Sequence, residues 1–577
     1  MTDKANKKSR LADLIIVSLI AVVAIALRLE AISYRGEALG WDEYMYLVLG
    51  RHLLTGQGYQ LFGLPNITFT GLVPIIGGVG WLILGSTRWA LSLPSAVLGG
   101  LAVIPVFLLA RRMFSRTAAF SAALIFTGLR SLLMFVPFVP YIERLYDGSE
   151  QIFLFFVMWT LYFFYRTYQT RGIISAALAG LCCGLAFQAR QEALVLWMAL
   201  GGWLLVSAVL IEKRLSLNLL ARLAGVVVFF IVATAPYFLY ARSVTGHILL
   251  GPHISHNVAV RDAFKSVYFH DDWKPYFRLH QELNLDDTEF RSPYYGVAPA
   301  HIEAEKNYST SGTFGNLMRG IDFPSLKYWL SDMRVILPSY IVFLMFMGLV
   351  MPPTRESIVK ALFLAATLAP AVAISLMLLV LPRYDLYTTG IVTVFAGAGL
   401  VTFVTPNANI LRIRPATACY VVAALMVVMG AYFAREFNSS FRNLLTQHDR
   451  AIELYAPDIG EKLKPMVPRG ALLMCHEPKI ALAVDATWVP LPASDFPDIV
   501  AFARHKNIKY ILVKGSDVML LHRGNDAVME EMREQAIRPF VYDDLFDRPD
   551  LVRVIYSGFA DEPFALLQVV PAAPGAN

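Results

Sequence analysis

Two adjacent acids, Asp42 and Glu43, come shortly after the first long apolar run of the chain. They stand in the run Trp41-Asp42-Glu43-Tyr44, among aromatic side chains. A hydroxyl group has a pKa far above 7, so a carboxylate must take its proton as the oxygen attacks another group. Asp42 and Glu43 are therefore candidates for a general base. The alternative is that two acids beyond a membrane helix are merely hydrated.

Further acids and cations mark the ends of other apolar runs. Glu150 stands at the start of the apolar run IFLFFVMW, separated from it by one residue, and Asp147 lies about one helical turn earlier, so either could bind a metal or orient a substrate. Arg383 stands at the end of another run, where a guanidinium can hold a lipid-borne phosphate by two hydrogen bonds. Arg190 is a second candidate for that phosphate. The alternatives are hydrated boundary residues, arginines that snorkel to headgroups and a salt bridge from Arg190 to Glu192.

A polar stretch at residues 241–334 adds candidates for substrate and metal binding. His253 and His256 have a spacing that could bind a metal, although such a pair is more often structural. Tyr294 and Tyr295 could stack on sugar rings, as could Tyr44, but an interfacial aromatic belt explains such residues equally well. A divalent metal ion is a candidate cofactor because it would hold the charge of a departing phosphate.

The composition decides the broad class of protein. The chain has 577 residues, of which 56% are hydrophobic and only 16% charged, and its mean hydropathy is +0.53. These values predict a polytopic membrane protein. The net charge of +6 does not indicate a nucleic-acid partner, because Lys and Arg also orient membrane proteins. The four cysteines have neither a disulfide pattern nor a zinc-type spacing.

Eleven apolar runs approach the roughly 20 residues that a helix needs to cross a bilayer. We expect about eleven transmembrane helices, with no cleavage of the first run as a signal peptide. The runs lie near residues 11–31, 89–110, 117–138, 151–165, 173–189, 193–211, 223–240, 335–351, 358–381, 386–404 and 416–433.

A twelfth apolar run, residues 71–86, is short and rich in Gly and Pro. If it does not cross the membrane, the connecting segments that share one side hold 16 Lys or Arg against 3 Asp or Glu. The positive-inside rule then makes that side cytoplasmic. If the run crosses, this charge bias collapses. We therefore expect residues 71–86 to lie in or dip into the outer interface.

This topology predicts how the domains are arranged. Residues 1–435 would form the membrane domain, with the N-terminus in the cytoplasm and outer loops at residues 32–88, 139–150 and 241–334. Residues 436–577 would form an extracytoplasmic α/β domain, because short strand-like runs there alternate with amphipathic stretches.

Several runs together resemble one superfamily of membrane enzymes. WDEYMYLVLGRHLLTGQGY looks like the first outer loop of the GT-C glycosyltransferases, closest to the branch of the protein O-mannosyltransferases and the aminoarabinose transferases. STRWALSLPSAVLGGLAVIPVFLLARRMFSRTAAFSAALIF is similar to the second and third spans of that branch. SEQIFLFF, LAGLCCGLAFQARQEAL and LPRYDLYTTGIVTVFAGAGL resemble its later landmarks. The family's frequent His-Pro-Pro or Lys-Pro element is missing, since this chain reads FTGLVPII.

The resemblance implies an inverting glycosyltransferase in a bacterial-type plasma membrane. The donor would be a sugar on a polyprenyl phosphate, and the acceptor a hydroxyl of a lipid, glycan or protein on the extracytoplasmic face. Asp42 would be the catalytic base and Glu150 the second acid, and Arg383 would face the carrier phosphate.

Two other classes of function stay open at this stage. A transporter or flippase of lipid-linked glycans would also have many spans, but transporters favour ionisable groups near the midplane and repeated halves. Here the notable acids gather at one face. The other class is a membrane scaffold without catalytic activity whose tail binds a partner.

Overall fold

A computed structural model gives the structure of the chain. It describes residues 2–34, 41–61, 64–85, 87–133, 148–211, 216–246, 248, 283–284, 289–290, 333, 336–350, 354–377, 386–410, 412–448, 459–460, 462–475, 478–491, 496–514, 548–559 and 563–571.

The described residues form helices through most of the chain and a sheet near its C-terminus. The helices are α1 (Thr2–Ser33), α2 (Trp41–Leu54), α3 (Leu72–Leu84), α4 (Thr87–Leu101), α5 (Val103–Met113), α6 (Arg116–Thr127), α7 (Ser149–Thr170), α8 (Ile173–Ala189), α9 (Ala193–Val206), α10 (Leu217–Thr245), α11 (Ser339–Leu349), α12 (Arg355–Met377), α13 (Thr388–Ile410), α14 (Pro415–His448), α15 (Pro478–Ala483) and α16 (Phe496–His505). The strands are β1 (Gln60–Leu61), β2 (Leu64–Pro65), β3 (Leu283–Asn284), β4 (Glu289–Phe290), β5 (Leu472–Cys475), β6 (Thr487–Pro490), β7 (Tyr510–Lys514), β8 (Val552–Phe559) and β9 (Pro563–Val569).

The chain divides into two compact units. The first comprises Met1–Gly36, Thr70–Ile254 and Thr310–Arg442. The second comprises Glu37–Phe69, Ser255–Ser309 and Asn443–Asn577, so it combines the segment that carries α2 with the C-terminal sheet. The domain bounds that we predicted from the sequence, at residues 435 and 436, stay a prediction.

The helices of the first unit are built for a membrane. Each of the eleven predicted apolar runs contains a helix, and in the described part of the chain six helices are long and apolar enough to cross a bilayer. On α10, for example, Val228, Ile231 and Val232 are exposed, as lipid-facing side chains would be. The chain is therefore an integral membrane protein, while the exact number of spans stays a prediction.

Two predicted runs differ in detail from the helices that form. The run at residues 89–110 forms α4 and α5, which meet at Ala102 and together make one candidate span, Trp89–Met113. In the described part of the run at residues 117–138, α6 ends at Thr127 and a short 3-10 helix follows at Arg130–Leu132. The backbone of Gly128, between them, packs so closely against Val427 of α14 that a side chain would not fit.

The short run at residues 71–86 forms α3. Its 13 residues extend only about 20 Å, too little for a hydrocarbon core of roughly 30 Å. α3 packs against α4, and Gly80 allows the two backbones to approach, since a Cβ there would collide with the carbonyl of Ala90. This length agrees with the expectation that α3 does not cross the membrane. The depth at which α3 lies in the membrane stays a prediction.

The C-terminal part contains a five-stranded sheet in the order β6-β5-β7-β9-β8. β5 pairs in parallel with β6 and β7, and β9 pairs antiparallel with β7 and β8. Ile499 and Val500 of α16 pack with Ile511 and Val513 of β7 in a closed apolar core. The predicted α/β domain is confirmed.

Candidate active site

Asp42 and Glu43 lie in the first turn of α2, in the second unit. The backbone N–H groups at the start of a helix have no intrahelical acceptor, so negative charge is favoured there. Asp42 is 7% exposed and Glu43 is fully buried. These two acids are therefore not freely hydrated, and the hydrated alternative is wrong for them.

The residues that follow the acids anchor α2 within the second unit. Tyr44 is 4% exposed, and its ring makes an edge contact with Trp488 of β6 at 5.8 Å between centroids. Burial raises the pKa of the Tyr44 phenol well above its ordinary value; nearby Cys475 adds to the increase and Arg51 opposes it. Tyr46 makes a similar edge contact with Phe69 at 5.1 Å. Tyr44 thus has a packing role, and its predicted contact with substrate stays a prediction.

A short hairpin closes the segment after α2. The chain turns at Gly56 and Gly58, both with positive φ, and His52 Nδ1 hydrogen-bonds the carbonyl of Gln60 at 2.8 Å. The hydroxyl of Tyr59 donates to the carbonyl of Phe69 at 3.0 Å. The Gly-rich end of the run WDEYMYLVLGRHLLTGQGY therefore folds the chain back beside α2.

Glu150 lies in the first turn of α7, in the first unit, and is 1% exposed. Arg190, 9% exposed, comes directly after α8, and its Nη1 donates to Glu150 Oε1 at 2.9 Å and to the hydroxyl of Ser149 at 3.1 Å. Its Nη2 donates to Glu192 Oε1 at 3.3 Å. One guanidinium therefore joins two buried carboxylates. The salt bridge from Arg190 to Glu192, an alternative that the sequence offered, is present.

Two glutamines beside Arg190 extend this cluster. Gln191 Nε2 donates to the hydroxyl of Tyr237 at 3.2 Å. Gln188 accepts from the backbone N–H of Gly71 at 3.3 Å and donates to the carbonyl of Ala233 at 3.1 Å. The turn between α8 and α9 is thus fixed to α10 and to the start of α3, which holds Arg190 in place.

Sequence reasoning missed Arg28, a buried cation near the end of α1. Its Nε donates to Gln151 Oε1 at 3.4 Å, its Nη1 donates to the carbonyl of Ala24 at 3.0 Å, and its guanidinium lies 5.6 Å from the ring centre of Phe126. Gly99 leaves the space for this pair, since a Cβ there would collide with the Gln151 carboxamide. An arginine inside an apolar run was the signal that could have identified it.

Several predicted site residues lie outside the described residues. They are Asp147, His253, His256, Tyr294, Tyr295 and Arg383. In the part of the chain that the structure describes, no three His, Cys, Asp or Glu side chains are grouped as a metal site would require. The metal stays a prediction.

Comparison with known structures identifies the fold. The structure of ArnT from Cupriavidus metallidurans bound to undecaprenyl phosphate aligns with a TM-score of 0.52 at 13% identity, over 97% of this chain and 99% of that one. The chain has the fold of the GT-C glycosyltransferases. The resemblance that the sequence motifs carried is thereby confirmed.

Other GT-C structures align over smaller shares of their own length. The Archaeoglobus fulgidus oligosaccharyltransferase in its apo form has a TM-score of 0.50 at 13% identity, over 88% of this chain and 70% of that one. The arabinofuranosyltransferase AftD from Mycobacteria has a TM-score of 0.51 at 12% identity, over 96% and 40%. The family model described as dolichyl-phosphate-mannose-protein mannosyltransferase matches residues 72–238, while no curated protein matches the chain by sequence.

Proposed function

We propose that this GT-C protein is a glycosyltransferase that moves a sugar from a polyprenyl-phosphate donor to a hydroxyl acceptor. The observation that carries the proposal is the alignment with ArnT over nearly the whole of both chains, because that relative was solved with undecaprenyl phosphate bound. The acceptor is a lipid, a glycan or a protein.

The buried acids of α2 suit the proton transfer that this reaction needs. The acceptor oxygen attacks the anomeric carbon from the side opposite the phosphate, the bond from that carbon to the phosphate oxygen breaks, and the configuration inverts. The proton of the acceptor hydroxyl goes to a carboxylate, for which we assign Asp42. Glu43 is the second candidate, since it lies in the same helical turn.

The cluster around Glu150 suits orientation of the substrate better than proton transfer. Arg190 already bonds Glu150 and Glu192, so we assign it the role of holding Glu150 rather than gripping the donor phosphate. Glu150 would then accept hydrogen bonds from hydroxyl groups of the sugar. Arg383 remains the cation that we assign to the carrier phosphate, since guanidinium groups hold phosphates by paired hydrogen bonds.

We assign the reaction to the extracytoplasmic face. The excess of Lys and Arg in the segments of the opposite side supports a cytoplasmic N-terminus, and with that orientation α2 and the C-terminal sheet would lie outside.

The test uses full-length purified protein in lipid nanodiscs with a panel of undecaprenyl-phosphate sugars and hydroxyl acceptors. We expect equal amounts of released undecaprenyl phosphate and glycosylated acceptor by mass spectrometry, with an inverted anomeric centre by NMR. A flippase would instead move the intact donor across proteoliposome membranes without releasing carrier. Movement of the intact donor together with no transfer to any acceptor in the panel would overturn the proposal.

A further inference from the structure

The C-terminal sheet carries a buried tryptophan on the side that receives α2. Met474 and Val489 belong to the apolar core that includes α16, and Leu473 is paired with Trp488 one position earlier on each strand. Side chains alternate along a strand, so Trp488 lies on the opposite face of the sheet from that core. Trp488 therefore contacts α2 on the face of the sheet opposite the α16 core.

Trp488 is fixed in a single position by its own surroundings. Its ring is 1% exposed, and its indole N–H donates to the carbonyl of Cys475 on the neighbouring strand at 2.6 Å. The same carbonyl accepts from the backbone N–H of Leu491 at 3.2 Å. Burial and this hydrogen bond to the parallel strand hold the indole ring in one orientation, so Trp488 forms a rigid platform.

α2 rests on this platform at its first turn. The ring of Tyr44 meets Trp488 edge to face, with 87° between the ring planes, and α2 also contacts α15, which follows β5. Tyr44 is the residue directly after Glu43 and two after Asp42. A helix of 14 residues is marginal by itself in water, so packing rather than propensity must fix its position.

From these contacts we infer that Trp488 is a positioning residue for the acids of α2, so strand β6 of the C-terminal sheet helps to place the catalytic groups. The inference rests on the proposed transfer reaction. The edge-to-face contact sets where the first turn of α2 lies, and the acids must stay within hydrogen-bonding reach of the acceptor hydroxyl. A displacement of about 1 Å in such a group costs on the order of 100-fold in rate.

The test compares Trp488→Leu with Trp488→Phe in full-length protein. Trp488→Leu should lower kcat by about 10- to 100-fold and leave the donor KM within a factor of about two. Trp488→Phe keeps an aromatic ring against Tyr44 and should recover most of the kcat. The matched control is Phe564→Leu, which removes a buried ring from β9, three strands from β6 in the same sheet. It should lower the Tm without lowering kcat.

A second pair of variants tests the same contact from the side of α2. Tyr44→Leu should lose as much kcat as Trp488→Leu does, and Tyr44→Phe, which keeps the ring against Trp488, should lose less. The double variant should lose no more than the larger single loss, because both changes remove one contact. This pair also decides the matter if Trp488→Leu does not fold.

The outcomes separate the inference from the proposed function. If wild-type protein transfers sugar while Tyr44→Leu and Trp488→Leu keep full kcat, the inference is wrong and the function stands. Losses that multiply in the double variant, or a Phe564→Leu variant that loses kcat equally, would also overturn the inference. A wild-type protein that transfers no sugar would contradict the function itself.

Discussion

The two groups of buried acids differ in what holds them. Glu150 and Glu192 share the guanidinium of Arg190, which offsets part of their negative charge and fixes their orientation. Asp42 and Glu43 lie instead in the first turn of α2, which packs against the C-terminal sheet. The proposed function gives proton transfer to the acids of α2 and substrate orientation to the cluster between α7 and α8.

The largest effect should come from Asp42→Asn. The change keeps the shape of the side chain but removes the basic oxygen, so kcat should fall by about 10²- to 10⁴-fold while donor affinity is kept. Asp498→Asn is the matched control, because Asp498 lies in the first turn of α16 and is an acid outside the proposed site. If the kcat of Asp42→Asn lies within tenfold of the wild-type value, Asp42 is not the general base. Glu43→Gln is then the next variant to measure.

The next largest effect should be on stability, from Arg190→Leu. This change leaves the carboxylates of Glu150 and Glu192 buried without their shared cation, which should cost about 3 to 5 kcal/mol. Thermal unfolding in detergent would show the loss as a lowered Tm. Adding Glu150→Gln and Glu192→Gln to this variant should restore part of the Tm, because the uncompensated charges are then gone.

Arg548→Leu provides the contrast for that measurement. Arg548 bonds Asp550 at 3.0 and 3.1 Å, but both side chains are exposed, so we expect no measurable change in Tm. Equal losses for Arg190→Leu and Arg548→Leu would show that burial does not distinguish the two ion pairs.

The smallest effect should be a pH dependence at Tyr44. Burial raises the pKa of this phenol above its ordinary value of 10, so the neutral form is favoured in the folded state. Its contribution to stability is complete below pH 10 and is lost as the pH rises above that value. The Tm of wild-type protein should therefore fall more steeply between pH 10 and 11.5 than that of Tyr44→Phe. Parallel curves for the two proteins would contradict the assignment.

The sequence predicted the elements of this fold better than their contacts. Long apolar runs predict membrane helices directly, and the strand-like runs of the tail predict the sheet, because both patterns are local. The salt bridge from Arg190 to Glu192 could also be predicted, since the two residues are two positions apart in the sequence. Its other bond, to Glu150, spans 40 positions and depends on how α7 packs against α8.

The same limit explains why the role of the C-terminal sheet was not predicted. Tyr44 and Trp488 meet across most of the length of the chain. Nothing in either local pattern indicates the partner. Arg28 differs, because an arginine within an apolar run is visible in the sequence; its partner Gln151 is not.

The central claim is that both groups of acids face the extracytoplasmic side, and labelling in intact cells tests it most directly. The labelling variants are made in protein whose four native cysteines are replaced by alanine. Gln57→Cys reports the exposed turn after α2. Thr170→Cys reports the exposed C-terminal end of α7, at the other end of this helix from Glu150. A membrane-impermeant maleimide should label the first variant in intact cells and the second only after permeabilisation. Labelling of both variants from outside, or of Gln57→Cys only after permeabilisation, would contradict the account.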